Sequence, residues 1–569
     1  MENQNTPSAQ RTPWLVRTLA IAMSLFQLYT GLFQLTAMNQ RVIHVTFALV
    51  LIFLLYGFDQ KKNKSIAWHG YLMSGIVLLM GIYVLANWFK KIGAIGMSPP
   101  WYELVMGTVF ILFCIEAARR TLGWIFPIIA VVAMVYARFG EMLPGFLAHR
   151  NYSFERIVSN MFITTDGVFG MLAGISATYI FLFILFGALL RAAGGGEFFI
   201  NLSFALFGHV RGGPAKIAVV ASSLFGMLSG SGTANVAGTG QITIPLMKRS
   251  GYKPHFAGAV ETVSSAGGLL MPPIMGAGAF IMSQWTQIPY LTIVGVAIIP
   301  AMLYFISVAF FVHLRAKKQG LRTMGKDEIP PIWGVLKEGW HFFIPIGVLM
   351  GLLIYGFTPT FAACAGIGAI VVSSWFNKKT RMGFRDILDA FAQGARNMVS
   401  TGVILLCSGI VVGVVLMVGA GIKFSIMIST ISGGSLFITI ILVALASLVL
   451  GMGLPVTASY IVLAVLAAPS MEMLGASLIA SHMLIFWYSQ DLVLTSILVA
   501  SVAGIVVLLS AITAVPAAHG NGTYVNLIGG MGWLSDTDVL RHHTALVKLK
   551  IISNRPSSLR MTKGCIRGR

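Results

Sequence analysis

The sequence predicts an all-α polytopic membrane protein, and three observations carry that prediction. Of 569 residues, 57% are hydrophobic and 10% are charged, with a mean hydropathy of +0.84. Soluble domains carry about 25% charged residues, and no water-exposed protein hides this much apolar surface. The apolar runs are continuous and roughly twenty residues long, the length that crosses a bilayer as a helix. Barrel strands would instead alternate in segments of about ten. Finally, two of the runs are interrupted mid-way by Gly, Ser, Thr or Pro at matched positions.

The elements follow in order. Spans are expected over residues 18–37, 42–57, 67–88 and 102–117, a four-helix bundle with short connections. A fifth covers 122–138, then a polar stretch runs through 137–160, and the next span is 173–190. The stretches 197–211 (EFFINLSFALFGHVR) and 384–398 (FRDILDAFAQGARNM) read as amphipathic helices along the membrane surface. Cys114, Cys364, Cys407 and Cys565 show no pairing pattern and read as small core residues. The N-terminal stretch is polar and precedes no cleavage-site pattern, so no cleavable signal is expected.

The formal net charge is +21. Most basic residues lie in short loops, where they set orientation, so no nucleic-acid partner is expected. With a cytoplasmic N-terminus, the basic loops at 59–64, 116–120, 248–253, 315–326 and 378–385 all fall inside. Lys90–Lys91 and the 137–156 stretch would lie outside.

The internal repeat pairs LFGMLSGSGTANVAGTGQITIP (224–245) with LVLGMGLPVTASYIVLAVLAAP (448–469). At one offset Thr233 matches Thr457, Ala234 matches Ala458, Pro245 matches Pro469, and Asn235 faces Ser459. Unpaired backbone in hydrocarbon costs several kcal/mol, so a break survives only where protein or water surrounds it. Small residues at one close helix–helix contact would explain one break. A matched pair with downstream prolines favours two re-entrant hairpins, separated by an odd number of crossings and hence inverted. That architecture recurs in secondary transporters. Half-helix N-termini attract anions. Carbonyl ends and Ser, Thr and Asn oxygens suit Na⁺. The sequence thus points to an organic anion carried with a cation.

The stretch 226–290 (GMLSGSGTANVAGTGQITIPLMKRSGYKPHFAGAVETVSSAGGLLMPPIMGAGAFIMSQWTQIPY) resembles the large membrane subunit of tripartite ATP-independent periplasmic (TRAP) transporters. NYSFERIVSNMFITTDGVFG (151–170), RGGPAKIAVVASSLFG (211–226) and GMGLPVTASYIVLAVLAAP (451–469) fit the same family, most closely the TAXI-type form with fused small and large subunits. The resemblance covers about residues 15–491. It implies a bacterial inner-membrane protein with a four-helix small-subunit-like region (1–118) fused to an inverted-repeat ion-transporter-type domain (119–491). It further implies Na⁺-coupled, elevator-type uptake of a small organic anion, often a carboxylate, delivered by a periplasmic solute-binding protein. Na⁺ is the coupling ion and no cofactor is implied. By motif match the first hairpin uses Ser229, Gly230, Ser231, Thr233 and Asn235. The second uses Gly451, Gly453, Pro455, Thr457 and Ser459. Na⁺ is expected at Ser231, Asn235, Thr457 and Ser459. Pro272 and Pro273 follow the first hairpin.

A second Pro-Pro is expected at 496–497, where this chain has Ser496-Ile497. Residues 541–569 hold eight Lys/Arg and no Asp or Glu. The segment 492–569 is therefore expected to be divergent or frame-shifted, which would leave the second half of the site incomplete and the chain truncated or inactive. Of the acids near apolar runs, Glu261 is the candidate site-lining carboxylate, with a helix-end role beside the basic loop as the alternative. Asp166 and Asp491 also lie beside apolar runs, and Glu116 reads as structural, next to Arg119 and Arg120. Two other classes compete: an ABC-type permease subunit, from the EAARRTLG segment at 116–123, and a passive anion channel. No Walker A or H-E-x-x-H pattern is present, so no enzyme is expected.

Overall fold

The computed structural model describes residues 13–58, 68–91, 99–230, 232–321, 323–451 and 456–490, all within one compact unit spanning 1–513. Among the described residues it is helical throughout, and ten helices are long and apolar enough to cross a membrane. Side chains such as Leu79, Ile299, Phe310 and Val132 stand exposed on these helices. In water such faces would aggregate; in lipid they are at home.

The expected four-helix region is present as α1 (Trp14–Leu32), α2 (Ala37–Leu55), α3 (Trp68–Lys91) and α4 (Trp101–Leu122). α4 ends at Gly123, whose φ of 83° only glycine adopts freely. Just inside that end Arg119 and Arg120 clamp Glu116 at 2.7 Å each. The acid of the EAARR segment is thus spent within its own helix. α5 (Ile125–Phe139) and α6 (Phe154–Phe162) follow. A broken span then runs α7 (Met171–Ile175), a π turn at Ser176–Ile180, and α8 (Phe181–Ala192). His44 of α2 bridges Gln27 (2.7 Å) and Ser176 Oγ (2.8 Å), tying the first two helices to that π turn.

Next come α9 (Gly195–Phe207), α10 (Gly213–Ser229), α11 (Gly232–Arg249) and α12 (Pro254–Gly267). A 3₁₀ turn and a bent, non-helical 271–276 segment lead to α13 (Ala277–Thr286) and α14 (Tyr290–Lys318). α15 (Ile332–Gly339), α16 (Phe343–Ile354) and α17 (Pro359–Ser374) precede α18 (Phe384–Val418). The chain then passes through α19 (Ala420–Ile431), α20 (Leu436–Gly451), α21 (Val456–Met473) and α22 (Leu478–Gln490).

α18 corrects one expectation. Residues 384–398 are not a separate surface helix but the first turns of a 35-residue helix. Nothing in 384–418 breaks it: there is no proline, and Gly394, Gly409 and Gly413 are closed in by Leu185, Gly167 and Asp166. At 1.5 Å per residue it is about 50 Å long, well beyond a ~30 Å hydrocarbon core. It packs against α1, α2, α4, α5, α8 and α21. Arg17–Asp389 (2.8 Å) and Ser24 Oγ to the Phe391 carbonyl (2.8 Å) fasten α1 along it.

The repeat extends further than the motif. α11 runs 232–249 and α21 runs 456–473, the same length at an offset of 224. α9, α10 and α12 find α19, α20 and α22 at that offset to within two residues. Each unit is therefore a short helix, a helical hairpin and a half-length helix.

Candidate functional site

The first hairpin is antiparallel, since Ser222 of α10 meets Thr239 of α11 (3.0 Å) about two turns from the tip residue Gly230. Gly230 has φ 62°, with open space where a side chain would stand. Glycine is needed there for its backbone conformation rather than for room. Lower down, Gly226 and Gly268 lie so close that a Cβ on Gly226 would sit 2.6 Å from the Gly268 Cα and 2.6 Å from Asn235 Nδ2. Backbone cannot yield as a side-chain end can. Gly226→Ala is expected to cost about 1–3 kcal/mol by overpacking, read as a lowered unfolding midpoint in detergent.

Glu261 lies within α12, fully buried. The helix-end alternative does not hold. Its Oε1 accepts from Ser222 Oγ (2.8 Å), from Ser265 Oγ (3.2 Å) and, over a short contact, from Thr239 Oγ1. Its Oε2 accepts from Thr243 Oγ1 at 2.5 Å. One carboxylate thereby joins α10, α11 and α12. Among the described residues no cation pairs with it; hydroxyl donors alone satisfy its oxygens.

Asn235 completes this core. Its Nδ2 donates to the Ser222 carbonyl (2.7 Å) and reaches the Ser265 carbonyl (3.5 Å). Among the described residues its buried Oδ1 has no partner. A buried amide oxygen without a donor is costly, and it offers a hard oxygen to a cation. At the matched position Ser459 is also fully buried, and among the described residues its Oγ has no partner either. The offset pairs these two orphan oxygens.

The two hairpins differ in their interiors. Thr239, Thr243 and Glu261 correspond to Leu463, Ala467 and Ile485, all buried and apolar. The acid and its two threonine donors are exchanged together, because a lone acid among apolar neighbours would be unsatisfied, whereas Ser265 corresponds to Ser489, whose hydroxyl turns to the Ile485 carbonyl (2.7 Å).

Within the first repeat's broken helix, between α12 and α13, runs the 271–276 segment. Gly276 N–H reaches the Leu269 carbonyl (2.7 Å), and Tyr290 Oη donates to the Pro273 carbonyl (2.9 Å) and contacts that of Ile274. Pro272 and Pro273 are half-buried here. The α13 that follows packs on α21 and α22, where Gly278 faces Phe486 and Tyr460. The first repeat's broken helix thus touches the second repeat.

The remaining expected residues divide as follows. Ser229 ends α10, Thr233 lies in the first turn of α11, and Gly451 ends α20. Thr457 is half-buried near the start of α21. Ser231, Gly453, Pro455 and Asp491 fall outside the described residues, as do 492–569. Asp166 is exposed in the loop before α7. Cys114, Cys364 and Cys407 are buried and free. Sequence reasoning missed Ser222, Thr239, Thr243 and Ser265. Two signals were legible: Thr239 and Thr243 share a helix face with i, i+4 spacing, as do Glu261 and Ser265.

The chain is 31% identical over 213 residues to the sialic acid TRAP transporter large permease protein SiaM of Vibrio cholerae, covering 36% of this chain and 48% of that one. It is 32% identical over 182 residues to the C4-dicarboxylate TRAP transporter large permease protein DctM of Pseudomonas aeruginosa, covering 32% and 42%. It is 23% identical over 374 residues to the sialic acid TRAP transporter permease protein SiaT of Haemophilus influenzae, covering 63% and 56%. The chain thus spans about half the length of the curated relatives it matches. A solved structure of the Alcanivorax borkumensis YdaH transporter aligns with TM-score 0.44 and 16% identity, over 69% of this chain and 91% of that one. The model of the family described as "Tripartite ATP-independent periplasmic transporter, DctM component" matches residues 109–495, more than half of the chain. By that match, the protein belongs to this family of transporter permeases, which are not enzymes.

Proposed function

We propose that this protein is a secondary transporter that takes up a small organic anion of the carboxylate class, coupled to Na⁺. A separate periplasmic solute-binding protein delivers the anion to the permease in the bacterial inner membrane. The observation that carries this reading is the pairing of Asn235 Oδ1 with Ser459 Oγ: two buried, partnerless oxygens at matched positions of two helix–break–helix hairpins. Hard, uncharged oxygens beside broken helices suit Na⁺. The N-terminal ends of α11 and α21 add partial positive charge suited to a carboxylate. The relatives named for sialic acid and C4-dicarboxylates support the anion class.

The spans between the hairpins are taken as the broken α12–α13 pair, α14, α16, α17 and α18, an odd number of crossings. The hairpins then enter from opposite sides, as alternating access requires. The hairpins, α12, α13 and α22 would move as an elevator against α1–α5 and α18. α1–α4 serve as the fused small-subunit-like part of a TAXI-type system, with the N-terminus cytoplasmic.

The energetics set the coupling. Each charge moved through 100 mV is worth about 2.3 kcal/mol. A dianion entering a negative-inside cell at about 100 mV therefore faces roughly 4.6 kcal/mol. Two Na⁺ offset this, and a third makes uptake voltage-driven. In proteoliposomes supplied with the binding protein, uptake is expected to saturate, to require Na⁺ and to weaken on depolarisation. Equal uptake with K⁺ in place of Na⁺ contradicts the coupling. Uptake that neither saturates nor needs the binding protein favours a channel.

A further inference from the structure

Arg41 is a charged group that the hairpin site does not use. Arg41 lies one turn into α2, half-buried. Its Nη1 donates to the Phe169 carbonyl (3.2 Å), while its buried Nε has no partner among the described residues. Among the described residues no carboxylate lies within ion-pair reach of it. Gly174 makes room for the guanidinium, since a Cβ there would stand 2.8 Å from Arg41 Nε. The space beside it is a cavity of about 140 Å³ lined by Gln40, Arg41, Thr178, Tyr179 and Gln284 among others. Tyr179 and Gln284, hydrogen-bonded at 2.9 Å, also wall a second cavity of about 320 Å³. No lining residue of either is acidic, and Arg41 is the only charged one.

The place is informative. The π turn Ser176–Ile180 forms part of the wall, and such turns favour functional positions because they release backbone groups. The larger cavity lies at the first residues of α14, whose far end carries Arg315, Lys317 and Lys318. It therefore sits at the end of the bundle away from those basic residues, which is the outer end under the positive-inside rule. One wall, Arg41 and Gln40, belongs to the small-subunit-like helices; another, Gln284, belongs to α13 of the first repeat.

We propose that Arg41 forms a carboxylate-recognition site at the outer mouth, where an arriving organic anion is held before it reaches the hairpins. A guanidinium offers two parallel donors to a carboxylate, and Tyr179 and Gln284 supply neutral polar contacts that impose no competing charge; Gln40 is occupied, its amide donating to Thr30 and to the Ala177 carbonyl. The inference rests on the transporter reading for its purpose, but its chemistry stands alone. A phospholipid headgroup would present a similar anion to Arg41, so the test separates the two.

The full chain in nanodiscs of neutral lipid is treated with phenylglyoxal, and the rate of modification at Arg41 is read by mass spectrometry. Millimolar succinate is expected to slow that rate about tenfold or more, as charge-assisted hydrogen bonds of this kind imply. Gly174→Ala, which displaces the guanidinium, is expected to abolish the protection. In uptake assays Arg41→Gln is expected to raise KM about tenfold to a hundredfold with Vmax little changed, and Arg41→Lys to recover part of it. A rate at Arg41 indifferent to succinate, no modification of Arg41 at all, or protection by phosphatidylglycerol but not by succinate overturns the proposal. Because the footprint needs no transport, protection without Na⁺-coupled uptake would sink the transporter reading and leave this site standing. Uptake with an unaltered KM in Arg41→Gln would do the reverse.

Discussion

Replacing Glu261 with alanine is expected to destabilise the protein by about 3 kcal/mol and to abolish uptake. The carboxylate is the shared acceptor for Ser222, Thr239, Thr243 and Ser265, and through them it holds α10, α11 and α12 in one arrangement. Without it Thr239 and Thr243 still reach the carbonyls of Asn235 (2.9 Å) and Thr239 (3.1 Å). Ser265 loses its acceptor, and a buried hydroxyl left unpaired costs about 1–3 kcal/mol. The cavity left by the deleted side chain adds to that. Glu261→Gln keeps the volume and one acceptor oxygen, and hydroxyl oxygens can accept from its NH₂. It is expected to fold with a loss of about 1 kcal/mol and to retain measurable uptake. The yield of folded protein after gel filtration, its unfolding midpoint and initial uptake rates check both variants. An alanine variant as stable as the parent would mean that the network does not hold the hairpin.

The second large effect is expected at the paired orphan oxygens. Asn235→Ala removes the free Oδ1 and also the donor to the Ser222 and Ser265 carbonyls. It is expected to raise the Na⁺ concentration for half-maximal uptake at least about tenfold, the equivalent of 1.4 kcal/mol. Ser459→Ala removes a single hydroxyl that makes no hydrogen bond. Its effect on stability is expected to be within about 0.5 kcal/mol, and a similar Na⁺ shift without destabilisation is the clearer signature. A Ser459→Ala protein with parental Na⁺ dependence would remove the second hairpin from the coupling site.

Much of this arrangement was legible in the sequence. Apolar run length located α1–α5, because a helix must cross a fixed thickness of hydrocarbon. The offset that aligned Thr233 with Thr457 and Pro245 with Pro469 also aligns the helices around them. Glu261 stood out because an acid in an apolar run needs a partner. Its partners did not, because which hydroxyls reach it depends on the antiparallel pairing of α10 with α11, which is long-range information. α18 was divided in two because the polar first turns of 384–398 resemble a surface helix; tertiary contact with α1, through Arg17 and Ser24, carries the helix on. Arg41 went unnoticed near a helix start, where a basic residue is ordinary. Only the cavity and the lack of a carboxylate set it apart.

The central claim is that two interrupted helices in the membrane present their own oxygens to Na⁺. Equilibrium binding of radioactive Na⁺ to the purified full chain tests it without reference to the solute. The account predicts saturable binding at more than one site, with one site lost in Asn235→Ala and a different one in Ser459→Ala. No saturable binding, or binding that neither substitution alters, would contradict it.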